Sequence, residues 1–283
     1  MWFSGDEGSV VTVGSRHSPA AVLELGQLLL DAKFSVPQPR PGGISRAGLI
    51  EAARSGGHRI VGITAPAGYG KSTLLAEWAR VEDRRVAWVS LDRFDDDPAV
   101  LLTSLAAAYY RAGLGGADLI ADVAGAGVST LGRAAPRLAW EIRSNAIPFV
   151  LMLDDLHEVR SPACHDVLGV VISAIPPGSQ LAVASRSEQP HLPRFRVSGD
   201  TLEFGAGDLA IDAVGARQIF AHAQVEATPE LATEVTERAE GWPAGLYLAA
   251  LIAKQNHSHV PIITGEDPYV ADYLYRETLT GQP

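Results

Sequence analysis

Between residues 58 and 223 the chain alternates short unbroken apolar runs with longer stretches in which apolar residues recur every three to four positions. The runs at 60–64, 86–90, 149–153, 181–185 and, more weakly, 201–204 predict strands. They are continuous rather than alternating, as expected of a parallel sheet covered on both faces. The stretches at 72–81, 98–111, 130–144, 162–174 and 212–223 predict the intervening helices. A β-α-β-α-β-α-β order argues for an α/β fold of three layers. From about residue 228 no strand pattern remains, and 229–240, 243–254 and 268–279 read as helices of a small helical subdomain. Ahead of the alternation, residues 1 to about 20 are rich in Gly, Ser and charge and read as loose, and 22–30 fits a short helix. Residues 34–43 read as an extended linker, because each Pro disfavours helix at the residue before it. A helix is expected over 45–55, with Ser45 as N-cap and Gly56-Gly57 as the stop.

The junction after the first strand bears chemistry. Ala65-Pro-Ala-Gly-Tyr-Gly-Lys-Ser-Thr73 sits between an apolar run and a helical pattern. Strand, glycine-containing turn, Gly-Lys-Ser and helix is the layout of a phosphate-binding loop. Its backbone N–H groups, here from Ala67, Gly68, Tyr69 and Gly70 onward, bind phosphate oxygens beside the positive end of the helix. Lys71 would reach the β- and γ-phosphates, and the Ser72 hydroxyl would ligate Mg²⁺. Thr73 either adds a phosphate contact or is a plain helix residue. The general pattern asks for Gly where this chain has Ala65.

Such a loop needs an acidic partner at a neighbouring strand end. Phe149-Val-Leu-Met-Leu-Asp-Asp155 supplies it. Asp154 falls at the carboxyl end of a buried strand, where ligands of open α/β sheets bind, and would hold the metal. Asp155 either activates the attacking water or caps the next helix. Leu181-Ala-Val-Ala-Ser-Arg186 places an arginine at another strand end. Its fork suits a γ-phosphate, and the alternative is a surface arginine in a polar loop.

Other patterns carry less. Gly205-Ala-Gly-Asp-Leu-Ala210 fits a dinucleotide fingerprint, but the strand before it is the last of the alternation and the next helix is expected only near Asp212. His157, His165 and His191 have no metal-ligand spacing. Asp92, Asp95, Asp96 and Asp97 precede a helix start, where acidic residues favour the dipole.

Composition narrows the classes. The 283 residues carry 23 basic and 33 acidic side chains, a net charge of -10, which disfavours tight DNA binding by this segment. One cysteine, Cys164, permits no internal disulfide and suits a reducing cytoplasm. The acidic start, Met1-Trp-Phe-Ser-Gly-Asp-Glu7, lacks a signal-peptide pattern, and the apolar runs are too short for a bilayer.

The chain resembles the nucleotide-binding module of the MalT-type, large ATP-binding LuxR regulators, which are STAND-class ATPases. The matching segments are Lys33-Phe-Ser-Val-Pro-Gln-Pro-Arg40, Ile44-Ser-Arg46, the loop 65–73, Ala87-Trp-Val-Ser-Leu-Asp92, Leu151-Met-Leu-Asp-Asp-Leu-His157, Ala184-Ser-Arg186 and Glu240-Gly-Trp-Pro-Ala-Gly-Leu246. Gly265-Glu-Asp-Pro-Tyr-Val-Ala-Asp-Tyr-Leu274 is similar to the segment entering the family's winged helix. The family often has Ala at the first loop position. The resemblance implies a P-loop NTPase three-layer sandwich at 44–226 after a loose segment at 1–43. A helical lid at 227–258 and the start of a winged helix at 259–283 would follow. It implies Arg46 near the adenine and Pro243 in a lid motif that contacts the nucleotide. It further implies an ADP-bound closed state, an ATP-bound open state that self-associates, and slow hydrolysis as reset. Helical repeats and a DNA-reading helix-turn-helix do not occur before Pro283, so the chain is expected to be either a fragment of a longer regulator or a truncated product. A non-catalytic nucleotide-binding interaction module is the alternative, and a metabolic kinase or transport ATPase is a further one.

Overall fold

The computed structural model describes residues 31–39, 42–125, 129–190 and 192–255. The helices expected at 22–30 and 268–279, the winged-helix segment 259–283 and His191 lie outside the described residues.

Five parallel strands form one sheet: β1 (Ile60–Thr64), β2 (Arg85–Ser90), β3 (Phe149–Asp154), β4 (Gln180–Ser185) and β5 (Thr201–Phe204). Their spatial order is β2-β3-β4-β1-β5. The acidic strand β3 is therefore not the neighbour of β1. β4 lies between them, pairing Ile63 with Ala184 on one side and Leu153 with Val183 on the other. The strand at 85–90, which falls between the two in sequence, sits at the sheet edge beyond β3.

The unbroken apolar runs are explained by two covered faces. Phe149, Leu151 and Leu153 enter one core with Leu101, Leu105, Leu138 and Leu168. Val150 and Met152 enter the other with Leu74, Leu75 and Trp78. The first core is closed by α3 (Pro98–Arg111), α4 (Ala117–Ala124), α5 (Ala135–Ser144) and α6 (Pro162–Ala174). The second is closed by α1 (Ala47–Ser55) and α2 (Lys71–Val81). The helix expected over 130–144 opens with a wider turn at Thr130–Ala134, and α4 was hidden by the glycines around it. Two short helices also escape the pattern, α7 (Leu192–Val197) and α8 (Ala206–Leu209).

A third apolar cluster is helical. Phe220, Val235, Leu246 and Ala250 join α9 (Ala213–His222), α10 (Pro229–Arg238) and α11 (Pro243–Gln255), with Ile44 packed against them. Among the described residues no helix is long and apolar enough to cross a membrane.

In the Pro-rich linker, residues 36–39 form neither helix nor strand, and the chain around them is anchored. Lys33 Nζ pairs with Asp92 at 2.9 Å and with the fully buried Asp95 at 2.5 Å, and Arg80 donates to Pro37 O. The aspartates at 92–97 do cap: Asp97 accepts from Ala99 N and Val100 N, and Asp92 and Asp95 form a reciprocal box. Ser45 does not cap α1. Arg46 occupies that position, and Ser45 Oγ instead donates to Glu77.

Between α2 and β2, the Glu82 carboxylate accepts from Trp78 Nε1 at 2.8 Å and from Arg84 Nε at 2.9 Å. Burial alone would raise this carboxyl, but those bonds overcome it and hold the group at about 2 against an ordinary 4.5. A depressed folded-state value stabilises the fold above pH 4.5, and that share is lost as pH falls towards 2. Glu82→Gln is expected to cost about 2 kcal/mol at neutral pH. Denaturant unfolding across that pH range should show a shallower acid limb in the variant, and an unchanged limb would disprove the assignment.

Candidate functional site

The site begins where β1 ends. Thr64 leaves the sheet, Ala65 N still donates to Ser185 O at 3.2 Å, and the loop then turns into α2. Ala65 is buried in the second core and is not among the residues with positive φ. No left-handed backbone at this position calls for glycine. The demand falls instead on Gly68 (φ +81) and Gly70 (φ +80). Both lie in the left-handed region that side chains resist.

Lys71 opens α2 and is only 7% exposed, with Nζ donating to Pro66 O at 2.9 Å across the loop. The neighbouring Ser72 Oγ donates to Asp154 Oδ1 at 2.9 Å. This joins the start of α2 to the end of β3 across the width of β4. Burial raises the Asp154 carboxyl above its usual range, opposed by Ser72, by the Asp155 N–H and by the Lys71 charge. A hydroxyl and a carboxylate brought together beside a lysine form a donor set that suits Mg²⁺ bound together with phosphate. Among the described residues no group of three or more His, Cys, Asp and Glu could hold a metal by itself.

Asp155 has φ +55, and its N–H donates to Asp154 Oδ1 at 3.0 Å. It precedes a single tight turn, Leu156–Glu158, but its side chain makes no capping bond there. The capping alternative is not realised. Burial first, and the Asp154 charge next, push its carboxyl up to about 6. Asp155, Arg186 and Lys71 line one cleft of about 410 Å³ together with Gly68, Arg46 and Pro243. Arg186 reaches it because β4 is the strand between β1 and β3.

Tyr69, Gly70, Ser72 and Thr73 also line this cleft, as does Ala67. The Arg46 guanidinium donates to Leu209 O at 2.5 Å and Ala210 O at 3.3 Å, and its N–H donates to the Glu77 carboxylate at 3.1 Å. Arg46 therefore ties α1 both to α2 and to the segment entering α9. Pro243 is the first residue of α11.

One feature of the site escaped sequence reading. Trp242 Nε1 donates to Ala67 O at 3.0 Å, and Ala244 N donates to Gly68 O at 3.0 Å. The start of α11 is thus bonded directly to the phosphate-loop backbone. A side chain that meets the loop from far along the sequence leaves no local pattern, and only the Gly-Trp-Pro segment hinted at it.

The Gly205–Ala210 segment also differs from expectation, since α8 begins directly after β5. It has only four residues, and the N–H of its cap residue Gly205 donates to Asp208 Oδ2 at 2.7 Å.

No family model matches the chain. It is 29% identical over 262 residues to the HTH-type transcriptional regulator MalT of Cronobacter sakazakii. It is 30% identical over 263 residues to MalT of Klebsiella pneumoniae strain 342. Each alignment covers 89% of this chain and 29% of the relative, so the chain spans under a third of the length of these curated relatives. Among solved structures, a signal transduction ATPase with numerous domains and a tetratricopeptide repeat sensor, from Pyrococcus horikoshii, matches with a TM-score of 0.54. That match has 14% identity and covers 86% of this chain and 34% of the other. A Walker-type ATPase of Pyrococcus abyssi matches with a TM-score of 0.53, 12% identity, and coverage of 81% and 72%. The chain therefore carries a MalT-like module with the P-loop NTPase fold.

Proposed function

We propose that this chain is the ATP- and ADP-binding switch module of a MalT-like transcriptional regulator, with slow ATP hydrolysis as its reset. The observation that carries the reading is the cleft that gathers Lys71, Asp155 and Arg186 under a helix bonded to the phosphate loop. A fast catalyst must open and reclose at every turnover. A lid fastened to the loop itself is better suited to holding a nucleotide and reporting its state.

In this reading the loop from Ala67 to Gly70 and Thr73 wrap the phosphates, and Lys71 neutralises the β- and γ-oxygens. Ser72 and Asp154 would hold Mg²⁺, which would supply neutralisation of phosphate charge. Asp155 takes the proton of the attacking water, and Arg186 senses the γ-phosphate. Arg46 lies near the adenine, and Pro243 touches the nucleotide from the lid. The helices α9–α11 serve as the lid subdomain. The ATP state self-associates, DNA contact belongs to other parts of such a regulator, and the module works in the cytoplasm.

Lys71→Ala is expected to weaken ATP and ADP roughly 30-fold, the scale of one charge-assisted contact. Calorimetric titration with Mg²⁺ present reads it. Equal affinities in both proteins would remove the loop from the nucleotide site.

A further inference from the structure

A second cavity, of about 350 Å³, lies against the phosphate-loop cleft, and Arg186 lines both. Its walls come from the turn after β3, the first turn of α6 and the loop after β4, with His157, Arg160, His165 and Gln189 among them. Among the described residues, His157 Nδ1 and Gln189 Oε1 are buried here with no hydrogen-bond partner. The His157 side chain is 9% exposed and Gln189 is 3% exposed. Gln189 is held in place by its other end, since Nε2 donates to Ser185 Oγ at 2.8 Å and to Ser187 O at 3.3 Å. Orphaned buried polar atoms are rare in native proteins, and two on one small cavity call for a ligand that serves both.

The chemistry of that ligand can be read from the walls. Gln189 Oε1 can only accept, so the ligand must offer a donor. His157 Nδ1 donates or accepts according to tautomer. Burial, and then the charges of Arg186, Lys71 and Arg160, lower His157 to about 4, so the ring is neutral at pH 7 and sits in a positive field. The acidic groups nearby are Asp155, 3.9 Å from Nδ1, Glu158, 3.5 Å from Nε2, and Glu188, which pairs with Arg196 at 2.5 Å.

We propose that this cavity binds a protonated oxyanion, inorganic phosphate. Its charged oxygens pair with Arg160 and Arg186, its P–OH donates to Gln189 Oε1, and a further oxygen or hydroxyl completes His157 Nδ1. The cavity is an anion site in its own right. Its role as a waiting place for phosphate leaving the cleft past Arg186 rests on the hydrolysis reading above.

The test is a calorimetric titration of inorganic phosphate into the nucleotide-free chain and the ADP-saturated chain. Arg160 is exposed and lines this cavity but not the cleft, so Arg160→Ala keeps the fold and the nucleotide site. That variant should bind phosphate roughly tenfold more weakly in both states, the loss of one charged hydrogen bond, and ADP equally well. In the nucleotide-free chain Lys71→Ala should remove only the phosphate held by the loop and leave the Arg160-sensitive site. In single turnover, phosphate release that lags hydrolysis and is hastened by Arg160→Ala assigns the product as the source. Release without a lag, with the titration still sensitive to Arg160, assigns phosphate from solution. Failure of ADP to bind would end the nucleotide reading and leave the phosphate titration of the free chain decisive. Phosphate binding that survives Arg160→Ala and is lost in Lys71→Ala would place the anion in the phosphate loop and overturn the inference.

Discussion

Asp155→Asn is expected to slow single-turnover ATP hydrolysis by about 10²–10⁴-fold, the usual share of a general base, while nucleotide affinity stays within about threefold. Asparagine is the informative replacement because Asp155 holds φ +55. That left-handed conformation suits Asp and Asn and strains most other side chains. The backbone N–H that donates to Asp154 Oδ1 is retained, so the proposed metal ligand keeps its orientation. What disappears is a carboxylate whose basicity is raised by burial and by the Asp154 charge beside it. An amide offers an oxygen to orient water but no site to take its proton. Calorimetry with ATP and Mg²⁺, and quenched-flow hydrolysis on the same preparations, separate the two effects. Undiminished hydrolysis in the variant would move the base elsewhere, and loss of both binding and hydrolysis would make Asp155 a structural residue.

The strands were legible because burial on both faces leaves no polar position inside a run, as in Phe149–Asp154. Lys71, Ser72 and Asp154 stand out in the sequence because the Gly-Lys-Ser loop and the acidic strand each leave a local pattern, and the fold brings Ser72 and Asp154 together. The strand order was not legible, since apolar runs do not say which parallel neighbour they pair with. The acidic strand β3 was expected beside β1, yet β4 is there, and this is what brings Arg186 to the cleft. The helix Ala117–Ala124 was masked by its flanking glycines, which argue for a loop by propensity while Leu119 and Val123 bury into the core. Ser45 has the right chemistry for a cap, but Glu77 on a helix reached only through the fold takes its hydroxyl. The fastening of Trp242 to Ala67 spans 175 residues, and no local rule reaches so far.

That fastening makes Gly68 the most sensitive glycine of the loop. Gly68→Ala is expected to destabilise the docking of α11 on the loop by about 4 kcal/mol, from left-handed strain and overpacking together. A Cβ at Gly68 would stand 2.6 Å from Trp242 Nε1 and 2.7 Å from Ala244 Cβ. Both contacts belong to the segment whose hydrogen bonds hold the start of α11 to the loop. Gly70 is the internal control. It has nearly the same φ, +80 against +81, but a Cβ there meets only Thr73 Cβ at 4.0 Å. Gly70→Ala should therefore cost strain alone, about 1–2 kcal/mol. Trp242→Ala removes the indole that Gly68→Ala collides with, so the two substitutions should couple by about 1–2 kcal/mol, each costing less in the presence of the other. Denaturant unfolding of the four proteins, with hydrogen exchange on residues 243–255 as the local readout, gives the cycle. Additive costs would mean that the lid does not bear on the loop at Gly68. Costs that fall short of additive would mean that any change of loop conformation must either carry α11 with it or break the Trp242–Ala67 and Ala244–Gly68 bonds, which is the mechanical link the proposed nucleotide switch requires.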